Sequence, residues 1–430
     1  MSLAYLGYTG RDRCAAALRE VDLTPDNLAG IHLSIACAWL ISFGIGRAPE
    51  GILFGALVGV SLIRLPRTLP FLVESLKSSK AVITCMALLV FIALSAAWSP
   101  SEAKADWYPP RHMLYPILLA PLLARWRLLV FAYMAGITFQ ASWILLEYLL
   151  VKDYRYGYPL GSSSNVHFWG GHMAAAAILA ACMSLDATCR RSTRVLSTLV
   201  FVLCLSSALT IAGRTTAVAL LAGLASAGLW AIARNHVGWR LPALLLACIV
   251  ICVIAFGSTI AARFQKGIQD QSAVATQTRI HNITSARTWM WQVTLSAWNE
   301  HPMIGWGRDA WASVFHARVA ALPTESLHRP REQLQHLNTA HSTYVQAAID
   351  QGALGLMLVI AALASLASTA WRSTVNPAMP LLGLTAYWAV SGVMLSELNT
   401  SHGLVPFGMM MTLALGAAIL QDQVPPIPST

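Results

Sequence analysis

Three side chains in this chain suit one kind of reaction: Arg214 in IAGRTTA, Arg287 in SARTWMW and His341 in TAHSTYV. A neutral imidazole accepts the proton of an attacking hydroxyl, while guanidinium groups neutralise a phosphate or pyrophosphate leaving group where other enzymes use a metal ion. The chain contains no G-x-x-x-x-G-K-[ST] loop, no G-x-G-x-x-G, no H-E-x-x-H and no CxxC pair. Nucleotide and metal chemistry are therefore not expected, and no cofactor is implied. Each of the three residues also has a plainer reading. Arg214 could snorkel at an interface, Arg287 could be solvated in the first turn of a surface helix, and His341 could cap a helix. Local sequence leaves both readings open.

The elements that must position these groups follow from composition. The chain has 430 residues, 56% of them hydrophobic and 11% charged, about half the charge of a soluble domain. The expected fold is an all-α polytopic membrane protein. Hydropathy marks twelve candidate spans, near 29–45, 51–65, 81–97, 112–124, 127–150, 169–185, 195–212, 214–233, 241–260, 341–368, 379–396 and 402–420. Several fall short of the roughly 20 residues of a straight span, so broken or re-entrant segments are expected. A net charge of +10 suits an anionic lipid surface, and nucleic-acid binding does not fit so apolar a chain.

Orientation follows from Lys and Arg, which stay on the cytoplasmic side of short loops. With the N-terminus inside, fifteen of them fall on inside segments, among them Arg64, Arg67, Arg125, Arg127, Arg190, Arg191, Arg194, Arg234 and Arg372. The short outside loops hold six: Arg47, Lys104, Arg111, Lys152, Arg155 and Arg214. Residues 1–28 then form a cytoplasmic segment without the apolar core of a cleavable signal. Residues 29–261 hold nine spans, 262–340 a long outer loop, 341–420 three further spans, and 421–430 a cytoplasmic tail. All eight cysteines lie in spans or inside segments, so no disulfide framework is expected.

Within the outer loop, residues 285–300 read as an amphipathic helix on or near the outer leaflet, with Ser285 as N-cap and Arg287 in its first turn. Pro302, Gly305 and Gly307 end it, and a second short helix is expected near Pro330. The span after the loop opens HSTYVQAAIDQGALG, where at about 100° per residue Val345, Ala348, Gly352 and Gly355 lie within about 40° of His341. Asp350 lies roughly opposite. The small residues either let a neighbouring helix approach or leave room for a lipid chain. Glu147, a carboxylate in a span, is either functional or a protonated hydrogen-bond partner.

These residues carry a resemblance. H-[NSQ]-x9-G-x-x-G, matched by His341, Ser342, Gly352 and Gly355, resembles the signature of the O-antigen ligase and polymerase family of bacterial membrane proteins. R-x3-W followed by P-x2-G-x-G (Arg287, Trp291, Pro302, Gly305, Gly307) is similar to that family's outer loop, and Arg214 in GRTTA to its arginine at the preceding outer helix start. The resemblance implies a GT-C-like glycosyltransferase of the bacterial inner membrane, its active site facing the periplasm. It would move a glycan from undecaprenyl pyrophosphate, the donor, onto lipid A-core, the acceptor, among membrane lipids. His341 would then be catalytic, Arg214 and Arg287 would bind pyrophosphate, and Gly352 and Gly355 would be structural. His336 and Glu397, the latter where some members carry an aspartate, are secondary candidates. A polymerase using the same donor is the alternative. A transporter or flippase, with Glu147, Asp350 and Glu397 along a coupling path, is the rival of another class.

Overall fold

The structure, a computed structural model, describes residues 27–100, 111, 112, 114–150, 166–211, 214–234, 287–323, 327, 334–396 and 401–421, with six scattered positions between 243 and 254. Among these residues every regular element is helical. In chain order they are α1 (Asn27–Ser42), α2 (Arg47–Ser78), α3 (Lys80–Leu94), α4 (Leu114–Leu119), α5 (Trp126–Leu150), α6 (Val166–Leu185), α7 (Arg191–Ile211), α8 (Arg214–Ala233), α9 (Arg287–Leu295), α10 (Ala310–Ala321), α11 (Thr343–Arg372), α12 (Ala378–Ser391) and α13 (Ser401–Gln421).

The burial pattern is that of a protein whose outer solvent is hydrocarbon. α6 is buried all round from Trp169 to Leu185, with Ala174, Ala175, Ala176 and Ala177 wholly enclosed. Its neighbours turn large apolar side chains outward, such as Leu199 at 63% and Leu229 at 64% exposure. Seven described helical runs are long and apolar enough to cross a membrane, and Leu28–Ser42, Trp169–Leu185 and Ala378–Ser391 are shorter apolar helices. The chain is a multi-pass membrane protein. Most of the expected span at 241–260 lies outside the described residues.

One span differs from expectation. The segment expected to leave the membrane after residue 65 continues as one 32-residue helix to Ser78, through Pro66 and Pro70. Phe71 and Leu72 are buried at helical spacing from Thr68, and that apolar face holds the helix together past its two missing amide donors. Arg64 is consequently no loop charge: it is buried, with its Nη1 2.8 Å from Nδ1 of His32. A buried cation in a span finds such a partner inside the bundle.

The spans expected at 112–124 and 127–150 make one apolar run, Leu114–Glu147, which folds back on itself. Trp39 meets Tyr115 edge-on at 4.7 Å while Phe43, one turn along α1, meets Tyr133 at 6.2 Å. On a straight helix Tyr115 and Tyr133 would stand about 27 Å apart. The 3-10 segment Ala120–Arg125 makes the reversal. Gly44 and Gly136 bring α1 and α5 into backbone contact, a use of glycine that membrane helices favour.

The helix ends sort into two groups. Asp186, after α6, accepts from Arg127 at 2.8 Å and from Asn376 Nδ2 at 3.0 Å. Trp230 Nε1 donates to Ala370 O at 3.0 Å, and Arg234 reaches Trp371 O. Arg127, Arg190, Arg191, Arg194, Arg234 and Arg372 thus gather at one end. α8, α11 and α12 run between that end and the other, where α8 begins at Arg214, α11 begins at Thr343 and α12 ends. Close contact of Gly223 with Gly383 joins α8 to α12 midway.

Candidate active site

The residues between α8 and α11 that the structure describes fold on their own small core. Trp289 and Met290 of α9 are buried with Trp311, Phe315 and Val319 of α10, and with Leu334, Ala340 and Ile349. Trp311 stacks on Phe315 at 4.8 Å, and Trp289 meets Phe315 edge-on at 6.0 Å. The apolar face of α9 read as meeting a lipid leaflet is therefore divided: Met290 and Ala297 are buried in this core, while Leu295 is 40% exposed. Helix α10 itself is absent from the sequence reading. Ser285 and the helix expected near Pro330 lie outside the described residues.

This small domain joins α11 by a backbone splice. At Gly352, with φ 68° and ψ −163°, α11 is kinked and its ladder broken. Among the bonds lost are those from the amides of Ala353 and Leu354 to the carbonyls of Ile349 and Asp350, four residues earlier. The loop Pro302–Gly307 satisfies all four groups. Ala353 N donates to Pro302 O at 2.8 Å and Leu354 N to Met303 O at 3.1 Å, while Ile349 O accepts from Trp306 N at 2.9 Å and Asp350 O from Gly307 N at 2.7 Å. No backbone polar group of these four is left open where water is scarce. Gly305 (φ 68°) and Gly307 (φ 98°) take conformations that L side chains rarely adopt. The P-x2-G-x-G stretch and the first glycine after the histidine are two halves of one joint. What fills the space at Gly352 is this loop, in place of either a neighbouring helix or a lipid chain.

The joint extends to the residues before α11. Asp309 begins α10 with φ 56° and caps nothing with its own side chain. Asp350 does so instead, its Oδ1 accepting from Trp311 N at 2.8 Å, a carboxylate at the positive end of a helix. Its Oδ2 accepts from Gln346 Nε2 at 2.7 Å, and Gln346 Oε1 accepts from the amide of Ala340 at 2.8 Å. Asp350, read from sequence only as a possible coupling group, is wholly buried and committed to this chain of bonds.

His341 stands between two such clamps. Ahead of it, Ala340 N is held by Gln346, and Ala340 O accepts from Trp291 Nε1 at 2.8 Å. Behind it, Ser342 caps α11 by accepting from Val345 N, and Thr343 N donates to Gly392 O at 2.8 Å. His341 itself is half-buried, with φ 49°. A left-handed histidine costs free energy that surrounding bonds must offset, and such residues concentrate at functional sites. The azimuth relation drawn from His341 to the glycines does not hold, because the helix begins at Thr343 and is broken at Gly352.

Trp291 also locates Arg287, which lies four residues earlier on the same face of α9. The face carrying Arg287 is the one tied to the residue before His341. Arg214 is the first residue of α8, at the same end of the bundle as Thr343; its side chain lies outside the described residues. Arg214, Arg287 and His341 thus belong to elements that meet at one end of the described bundle. His336 is exposed, five residues earlier. Glu147 is on α5, which is packed on α1, α6 and α7, and Glu397 lies outside the described residues. Among the described residues no three His, Cys, Asp or Glu gather as a metal would need. Sequence reasoning missed that Gln346 and Asp350 bond to one another and, through Gln346, to the residue before His341. Their i, i+4 spacing before the glycine was the available signal.

Residues 199–360 match the family model described as O-antigen ligase. The match covers Arg214, the whole described outer domain, His341 and the Gly352 joint. A comparison with curated proteins returned no match.

Proposed function

We propose that this chain, which belongs to the O-antigen ligase family by the domain it carries at residues 199–360, is a ligase transferring a glycan from undecaprenyl pyrophosphate to a hydroxyl of lipid A-core. The observation that carries the reading is that the elements bearing Arg214, Arg287 and a clamped, left-handed His341 meet at one end of the bundle. That end is taken as periplasmic, in the inner membrane of a bacterium. The opposite end collects Arg127, Arg190, Arg191, Arg194, Arg234 and Arg372, as a cytoplasmic end does.

In this reading the acceptor oxygen attacks the anomeric carbon of the donor sugar, and the bond from that carbon to the pyrophosphate oxygen breaks. The proton of the attacking hydroxyl passes to the His341 imidazole, which must be neutral to take it. The electron pair of the broken bond leaves on undecaprenyl pyrophosphate, where Arg214 and Arg287 hold the added negative charge. Fixed guanidinium groups at an interface poor in water stabilise such charge more strongly than they would in bulk solvent.

The test is incubation of the purified protein with undecaprenyl-pyrophosphate glycan and lipid A-core, without metal or nucleotide. Glycan joined to lipid A-core supports a ligase. Lengthening of the donor glycan in the absence of lipid A-core marks a polymerase, and donor movement across a vesicle without covalent transfer overturns the enzyme reading.

A further inference from the structure

We infer that Gln346 and Asp350 are positioning residues that hold His341 in its reactive backbone conformation through a directed relay of hydrogen bonds. The inference rests on His341 being the base proposed above.

The relay's direction is fixed by chemistry. Ala340 offers an amide proton, so the Gln346 atom 2.8 Å from it must be the carbonyl oxygen. The Gln346 amide nitrogen is then the atom 2.7 Å from Asp350. Asp350 must therefore accept there, and its other oxygen also accepts, 2.8 Å from Trp311 N. Only a side chain with two acceptor oxygens meets both donors. The carboxylate thus sets which way the Gln346 amide faces, and the amide sets where Ala340, and with it His341, is held. All three residues are buried: Gln346 is 3% exposed, Asp350 0% and Ala340 0%. Water is not at hand to replace a lost partner, so a reversed amide leaves an uncompensated clash of donors.

The same relay ties catalysis to the integrity of the outer domain. Asp350 Oδ1 caps α10 while its backbone carbonyl accepts from Gly307. A displaced α10 would be transmitted through Asp350 and Gln346 to His341.

The test uses isosteric changes. Asp350→Asn places an NH2 group against the Gln346 NH2 group, and Gln346→Glu places two carboxylates together. The combination D350N/Q346E restores each bond with donor and acceptor exchanged: the carboxylate introduced at position 346 accepts from Ala340 N and from the side-chain amide introduced at position 350, whose oxygen still accepts from Trp311 N. Each single change is expected to lower kcat by about 10²-fold through misplacement of the base, with KM for both substrates little changed. The combined variant is expected to recover kcat to within a few-fold of the unaltered chain, with the same pH profile. Recovery supports the relay even if the single variants insert poorly. A combined variant that inserts but stays as slow as the singles, or that does not insert at all, overturns it. So does a full-rate D350N. His341→Ala is assayed alongside: if it keeps its activity, the base assignment falls, and if it is inactive while D350N runs at full rate, only the relay falls.

Discussion

Gly352 and Gly305 lie backbone against backbone, so that a Cβ built on Gly352 would stand 2.6 Å from the amide nitrogen of Gly305. Both have φ of 68°. The contact makes one mechanical unit of the outer domain and α11, and the stability of that unit depends on two residues without side chains.

Substitution at this joint is expected to be costly. Gly352→Ala and Gly305→Ala each impose about 1–2 kcal/mol of left-handed strain, with steric conflict against backbone added. Gly228, in α8, has nothing within 4 Å of its built Cβ, and Gly228→Ala should be neutral or stabilising by up to about 1 kcal/mol. Thermal unfolding of detergent-solubilised protein measures the difference. Equal melting of the Gly352 and Gly228 variants would sink the account of the joint.

The arginines should be separable from folding. Arg214→Ala and Arg287→Ala are each expected to lower transfer by about 10²–10³ while the protein still inserts, since each leaves part of a pyrophosphate charge unneutralised. Lysine at either position should recover only part, lacking the planar fork of donors. EDTA should leave the rate unchanged. Strict dependence on added Mg²⁺ or Mn²⁺ would remove the argument that arginine stands in for a metal.

Orientation can be read with thiol reagents. Ala320 is exposed on α10, and Ala320→Cys should react with an impermeant maleimide in cells whose inner membrane is intact. Native Cys189 lies at the other end, in the turn after α6. Burial, with the Asp186 carboxylate beside it, pushes its thiol up to about 11. Thiolate is the reacting form, so Cys189 should label slowly near neutral pH even in opened membranes, and faster as pH rises toward that value. Labelling of position 320 only after the inner membrane is opened would reverse the orientation and remove the proposed site.

What was legible in the sequence was whatever repeats along one element. Apolar runs marked the helices, and the Lys and Arg positions sorted their ends, so Arg214, Arg287 and His341 could be placed on one side before any contact was known. The extent of α2 was hidden because Pro66, Pro70 and Arg64 look like a loop until Arg64 is seen to be buried against His32 and Phe71 and Leu72 are seen to carry the buried face onward. The joint at Gly352 was hidden for a different reason. Its hydrogen bonds join residues far apart in the chain, Pro302 to Ala353 and Trp306 to Ile349, and no local periodicity reports such pairs. The motif spacing held both halves, but read along one chain each glycine looked like a helix-packing or helix-ending residue.

The last prediction concerns the base. His341 and His336 are five residues apart and lie on the same side of the membrane in the proposed orientation, yet their settings differ. His341 is half-buried, left-handed and clamped at Ala340, Ser342 and Thr343, whereas His336 is exposed on the outer domain. A group that transfers a proton in the transition state has to be held, and of the two only His341 is shown held from both sides. His341→Ala should lower transfer by about 10²–10⁴, the range for loss of a general base, and His336→Ala should change it little, both at equal expression. With imidazole as the base, the rate of the unaltered chain should fall toward acid pH, where the ring is protonated and can no longer accept a proton. That limb should be missing from the residual activity of His341→Ala. Near-normal activity in His341→Ala would end the base assignment. Near-normal activity in both variants would end general-base catalysis by histidine here, leaving activation of the donor by Arg214 and Arg287 as the remaining source of rate.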